Sequence, residues 1–241
     1  MSKVLKVSEF DVEQFSFEPF PEKFKRSTMQ SIMLPTYQGE RCPIIQLPWV
    51  EISQYGVPTK NDFFKEDTQR YFIKLPISES GKTEGFAKWL KNIDKKFGSS
   101  AVKKKLLGDK SKHTYQPLLR SPASEDEASD KSAYVKFKLS SQYPSNDINT
   151  GIVVQEPSGE IRSVDVTTID EVCKYVPFRS VVKCYVTPSK LWYHPSANVD
   201  ASYGIIFKCV KILVKLPEKA TAPLQLDDLT TAFEDSGEES E

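Results

Sequence analysis

The chain has 241 residues, with 39% hydrophobic and 27% charged side chains and 16 prolines, which suits one large domain or two small ones rich in loops. No run of 18 apolar residues occurs, so no membrane-spanning helix is expected, and the opening MSKVLKVSEFDVEQ lacks the apolar stretch of a secretory signal. The formal net charge of zero is unevenly spread: seven acids and no base lie from Asp227 to Glu241, leaving 33 bases against 26 acids, a net of +7, elsewhere.

The first 25 residues carry Val4-Leu5-Lys6-Val7 and then Phe10, Phe15, Phe17, Phe20 and Phe24. So many phenylalanines are expected to be covered, either along the body or against a second copy, and a homodimer is conceivable on that ground. Ser31 to Leu34 and Pro43 to Leu47 read as strands joined by a turn at Gln38-Gly39-Glu40. Gln69 to Leu75 reads as a third strand, closed by Pro76. Phe86, Leu90, Ile93 and Phe97 recur at helical spacing, with Lys88, Lys91 and Lys95 on the other side and Gly98 as C-cap.

Residues 103 to 131 read as excursions from the core, with a basic run at Lys103-Lys104-Lys105 and a polar loop, SPASEDEASDK, at 121–131. From Tyr134 the pattern is strand after strand. Tyr134 to Leu139 alternates, and Ile152 to Gln155 and Ile161 to Val166 flank a Pro157-Ser158-Gly159 turn. Thr168 to Tyr175 reads as a short capped helix, followed by strands at Val181 to Val186, Leu191 to Tyr193 and Tyr203 to Leu216. The expected fold is mainly β: an elaborated five-stranded antiparallel barrel of the oligonucleotide-binding kind, with a β-sandwich as the other arrangement these strands allow. The domain reading is an arm at 1–27, a body at 28–217 with a helical and basic insertion at 82–131, and an acidic disordered tail at 218–241.

Cys42, Cys173, Cys184 and Cys209 are scattered, without a CxxC pair or clustered histidines. Reduced thiols, no metal, no cofactor and a cytoplasmic or nuclear location are expected. His113 and His194 lack the companions of a triad, and no phosphate-cradling glycine motif occurs, so no catalytic residue is assigned.

Binding a single nucleic-acid strand needs cations along the phosphates and aromatic faces for unstacked bases. The strands supply both. Tyr134, Lys136 and Lys138 share one side of their strand, as do Val181, Lys183 and Tyr185 of theirs. Lys190, Trp192, Tyr193, Tyr203, Lys208 and Lys211 extend the set, and Lys103, Lys104 and Lys105 are further phosphate contacts or solvated lysines. Trp192 reads equally well as core or as stacking platform.

Ser180-Val181-Val182-Lys183-Cys184, then Leu191-Trp192-Tyr193, then Tyr203-Gly204-Ile205 with Lys208, Lys211 and Val214, form a recognisable series. It resembles a single-stranded-DNA-binding-like family of large nucleocytoplasmic DNA viruses, with remote similarity to the single-stranded-DNA-binding proteins of short-tailed lytic phages. The resemblance implies a viral protein that coats single-stranded DNA in replication, recombination or repair. It also implies an acidic tail (Asp227, Asp228, Phe233, Glu234, Asp235) that regulates binding and recruits polymerase or helicase. A virion-associated or scaffold module with no nucleic-acid role is the alternative.

Overall fold

The computed structural model describes residues 3–19, 31–108, 112–122, 131–194 and 201–217. The expected acidic tail, Phe20, Phe24 and residues 123–130 of the polar loop lie outside them. Among the described residues the chain is mainly β, a single curled sheet with helices against it.

In chain order the strands are β1 (Val4–Lys6), β2 (Phe15–Pro19), β3 (Ser31–Tyr37), β4 (Glu40–Arg41), β5 (Ile44–Gln46), β6 (Val50–Glu51) and β7 (Phe72–Ile77). Helices α1 (Glu84–Gly98) and α2 (Ser100–Leu107) come next. There follow β8 (Thr114–Gln116), β9 (Leu119–Arg120), β10 (Ala133–Leu139), β11 (Gly151–Gln155), β12 (Ile161–Val164), helix α3 (Ile169–Tyr175), β13 (Val181–Tyr193) and β14 (Ser202–Lys215). The sheet runs β1-β5-β13-β14-β10-β7, with the other strands pairing off this path. Among the described residues fourteen strands, several only two or three residues long, make up the sheet, more than the extra strands expected around a five-stranded barrel.

The long ribbon β13–β14 is the spine of the fold. Two short strands were expected at 181–193; instead β13 runs unbroken through Pro188. The pairing with β14 slips at Tyr185/Val186 and again at Pro188/Lys190. Proline cannot donate to the ladder, and a bulge is where a strand tolerates it. The bulges bend the ribbon, so β3, β5 and β6 pair with successive parts of one edge of β13. Likewise β8, β10 and β11 share β14.

The turn at Gln38-Gly39 does form a hairpin, but between β3 and β4. The strand at 44–46 leaves it to pair in parallel with β1 and antiparallel with β13. Likewise, Arg70 does not join a strand. It sits in a 3-10 turn, Asp67–Arg70, fully buried, and donates to Asp67 (2.6 Å), Asp170 (2.8 Å) and the Pro58 carbonyl (3.2 Å). A buried guanidinium must be paired, and this one ties the approach to β7 to the first turn of α3. That turn is closed by a reciprocal cap between Thr168 and Glu171.

Helix α1 buries the expected Phe86, Leu90, Ile93 and Phe97, and also Trp89. Beneath it lie Phe10, Phe15 and Phe17, which pack on Trp89, Phe97 and Phe207 at ring separations of 5.2 to 6.3 Å. Residues 4–19 thus belong to the same hydrophobic core as the body. Lys96 clamps them by donating to the carbonyls of Val12 (2.9 Å) and Glu13 (2.8 Å). On the other flank Asp94 accepts from Tyr115 (2.9 Å), Leu118 (2.8 Å) and Leu119 (3.1 Å), fixing β8 and β9 against α1. The burial that makes these bonds strong also raises the Asp94 pKa.

Candidate nucleic-acid interface

Strand β10 alternates as its sequence demands: Val135, Phe137 and Leu139 are buried, while Tyr134, Lys136 and Lys138 face outward. Its neighbours extend that outer face by register. Lys136 lies opposite Lys74 of β7, and Tyr134 opposite Pro76 and Arg120. Lys138 pairs with Lys208 of β14, which pairs with Thr187 of β13. Lys190 follows beyond the Pro188 bulge.

Arg120, Lys74, Lys136, Lys138, Lys208 and Lys190 therefore form one strip across five strands. Among the described residues none of them makes an ion pair. The strip bears the electrostatic cost of its own crowding. Burial, then Arg120, Lys74 and Lys138, lower the Lys136 pKa to about 8. Burial, then Lys138 and Lys208, also lower that of Lys190. Such unneutralised repulsion is what a polyanion would relieve.

Aromatic rings border the strip at one end. Tyr55 and Tyr134 lie 4.9 Å apart, with the Lys74 ammonium 4.8 Å from the Tyr134 ring and 5.7 Å from that of Tyr55. Tyr55 is held by two local features. Its hydroxyl donates to the Ser132 carbonyl (2.8 Å), and Gly56, at φ +95, bridges to Lys74 where a Cβ would stand 2.9 Å from Ile52. Lys136 sits 3.7 Å over Phe72, which is buried on this face beneath Phe64 and the lysines. Phe63, 89% exposed, projects from the same corner, its ring 6.4 Å from Phe64.

At the other end lies Trp192, half-buried on the outer face of β13. Its indole lies over Gly204, where a Cβ would come within 3.2 Å of Nε1. Of the two expectations for this residue, that places it on the face and not in the core. Further along β13, Tyr185 faces Lys211 and shares a hydrogen bond of 3.3 Å with Gln46. Lys183 lies beyond it, its ammonium 4.7 Å from the ring of Trp49, with that of Lys215 at 4.6 Å.

Some expected residues lie elsewhere. Tyr203 is a correction: it is 0% exposed, inside the core, and its hydroxyl donates to the Phe97 carbonyl at 2.6 Å. Strand alternation puts it on the inner side next to Gly204. Tyr193 shares that side, packed against the core with its ring 6.1 Å from His113. Lys103, Lys104 and Lys105 lie on helix α2, not in a loop, and Lys103 is directed at the His113 carbonyl (3.4 Å). Asp227, Asp228, Phe233, Glu234 and Asp235 are outside the described residues. Sequence reading missed Tyr55, Phe63, Lys74, Arg120, Trp49 and Lys215; only the strand register of Lys74 against Lys136 could have pointed to one of them.

No family model matches the chain. No curated protein matches it either. Solved structures do. The chain is similar to the single-stranded DNA-binding protein from bacteriophage Enc34 in complex with ssDNA, at 12% identity and a TM-score of 0.41, over 82% of this chain and 97% of that one. A further structure of the single-stranded DNA-binding protein from bacteriophage Enc34 gives 13% identity and a TM-score of 0.40, over 89% of this chain and 99% of that one. Gp2.5, a single-stranded DNA-binding protein encoded by bacteriophage T7, gives 16% and 0.38, over 83% of this chain and 100% of that one.

The described thiols are free, with Cys42, Cys184 and Cys209 buried. Burial pushes Cys42 up to about 12, which leaves it protonated and unreactive at neutral pH. Among the described residues no group of three His, Cys, Asp or Glu side chains is placed to hold a metal.

Proposed function

We propose that this protein binds single-stranded DNA across the outer face of its sheet. The phosphates follow Lys74, Lys136, Lys138, Lys208 and Lys190, and bases stack at Tyr55/Tyr134, Phe63 and Trp192. The observation that carries this reading is the strip itself: adjacent cations on adjacent strands, without acid partners among the described residues, bordered by aromatic rings. A protein that needed only solubility would intersperse acids there. Rings reward a single strand over a duplex, because a duplex keeps its base faces stacked inside.

The chemistry is stoichiometric coating, and the biological setting we propose is viral genome replication, recombination or repair. The excess of +7 over the body matches the seven acids of residues 227–241. That segment competes with DNA for the strip, and once displaced it is available to replication proteins. Deleting residues 218–241 raises oligo(dT) affinity at low salt; unchanged affinity would remove the competition from this account.

The deciding experiment titrates labelled oligo(dT) and a duplex of equal length at two salt concentrations, with the wild type and a K138A/K208A variant. The single strand is preferred, and each lost phosphate contact lowers the salt slope by about 0.7, so the double variant loses about 1.4. Equal affinity for single strand and duplex, or binding insensitive to salt, rejects the proposal.

A further inference from the structure

The chain between β5 and β6 carries Trp49, whose indole is half-buried and not part of the core cluster. The ammonium groups of Lys183 and Lys215 approach its ring at 4.7 and 4.6 Å. Beside it opens a pocket of about 460 Å³, lined by Lys6, Gln46, Trp49, Lys82, Phe86 and Lys183 among others, with no acid among the described residues of its wall. Glu51, in the register row that joins Val181 and Lys215, makes no ion pair with Lys183 or Lys215. A planar apolar wall ringed by ammonium groups that make no ion pair among the described residues has the chemistry of a nucleotide site: a π-face for the base and cations for its phosphate.

The pocket is continuous with the strip. Lys183, Tyr185 and Thr187 share the outer face of β13, and Thr187 is the register partner of Lys208. Thr187 lies four residues along the strand from Lys183, a span of about 13 Å. Lys211, opposite Tyr185, bridges that interval.

We propose that the Trp49 pocket is a second contact for the same single strand, taking one base on the indole and its phosphate between Lys6, Lys82 and Lys183. This rests on the reading under Proposed function and extends it from one strip to a bipartite path. When a phosphate arrives, the lysines exchange a ring contact for a charge-assisted hydrogen bond, which is the stronger interaction, and the indole face is uncovered for the base.

The test compares oligo(dT) of about 4 and about 16 nucleotides, the ends of the usual range for such domains, by anisotropy of labelled strands. The wild type, W49A, W49F, K82A and K138A/K208A are measured in parallel. Only the long strand reaches both contacts. W49A weakens the long strand by about 5- to 100-fold and leaves the short one unchanged, while W49F recovers most of the loss. K82A, on an exposed side chain, lowers the salt slope for the long strand alone by about 0.7. Should W49A fail to fold, K82A carries the test. Long-strand binding unaffected by W49A or K82A overturns the second contact, as does an equal loss at both lengths. K138A/K208A keeps the two readings separate: if it weakens both lengths while W49A and K82A change neither, the strip stands and the pocket falls. If K138A/K208A changes neither length, the strip falls too.

Discussion

Raising the pH from about 7 to about 9 should weaken oligo(dT) binding about tenfold, because Lys136 must be charged to hold a phosphate. In the free protein burial, then Arg120 of β9, Lys74 of β7 and Lys138 of its own strand, lower its pKa from 10.5 to about 8. A bound phosphate favours the ammonium form, so the pKa in the complex lies above that of the free protein. Binding then takes up a proton wherever the pH exceeds the lower value. The charged fraction of free Lys136 falls from about nine-tenths to about one-tenth over that interval, which sets the tenfold figure. Lys190, lowered by burial and by Lys138 and Lys208, adds to the effect in the same direction. Stability moves the opposite way. The folded pKa lies below the unfolded one, so charging Lys136 opposes folding, and stability from this group rises with pH between about 8 and 10.5. The assay is anisotropy of a labelled strand at low ionic strength, since salt screens the like-charge part. A K136R/K190R variant removes the pH dependence, because arginine stays charged throughout. A wild-type profile as flat as that of the variant refutes the argument.

Four further outcomes are expected. Y203F loses the buried bond to Phe97 (2.6 Å) and about 1 kcal/mol of stability by denaturant titration, with oligo(dT) affinity unchanged. G56A destabilises the fold by about 1–3 kcal/mol, because position 56 requires φ +95 and its Cβ would collide with Ile52; it also weakens binding by displacing Tyr55. F63A leaves the melting temperature within error, as expected for a side chain 89% exposed, but lowers affinity for single strands about fivefold. R70M lowers stability by about 2 kcal/mol through lost hydrogen bonds at Pro58, Asp67 and Asp170, while strand binding persists once the variant is folded.

Period-two alternation at 134–139 was enough to assign both faces of β10, because burial on one side of a sheet leaves no other register. Helical spacing located α1, and a capping threonine with acids in the first turn located α3, since both signals act within a few residues. The same local reading separated 181–186 from 191–193. A bulge at Pro188 carries one strand through the interval between them. That reading also placed Tyr203 outward. The alternation of β14 itself argues against that placement: Tyr203 shares its side with the buried Ile205 and Phe207 and lies five residues, hence one face, away from the outward Lys208.

The sequence by itself therefore determined the β-rich class, helices α1 and α3, the charge split and the outward lysines of β10, because each depends on residues near one another in the chain. Only the tertiary structure brought Lys74, Arg120, Lys138, Lys190 and Lys208 into one strip, Tyr55 to its border and Trp49 to Lys183 and Lys215. Those residues come from separate strands and loops. Their meeting is fixed by cross-strand register, which the bulged β13–β14 ribbon sets through hydrogen bonds between segments far apart in the chain.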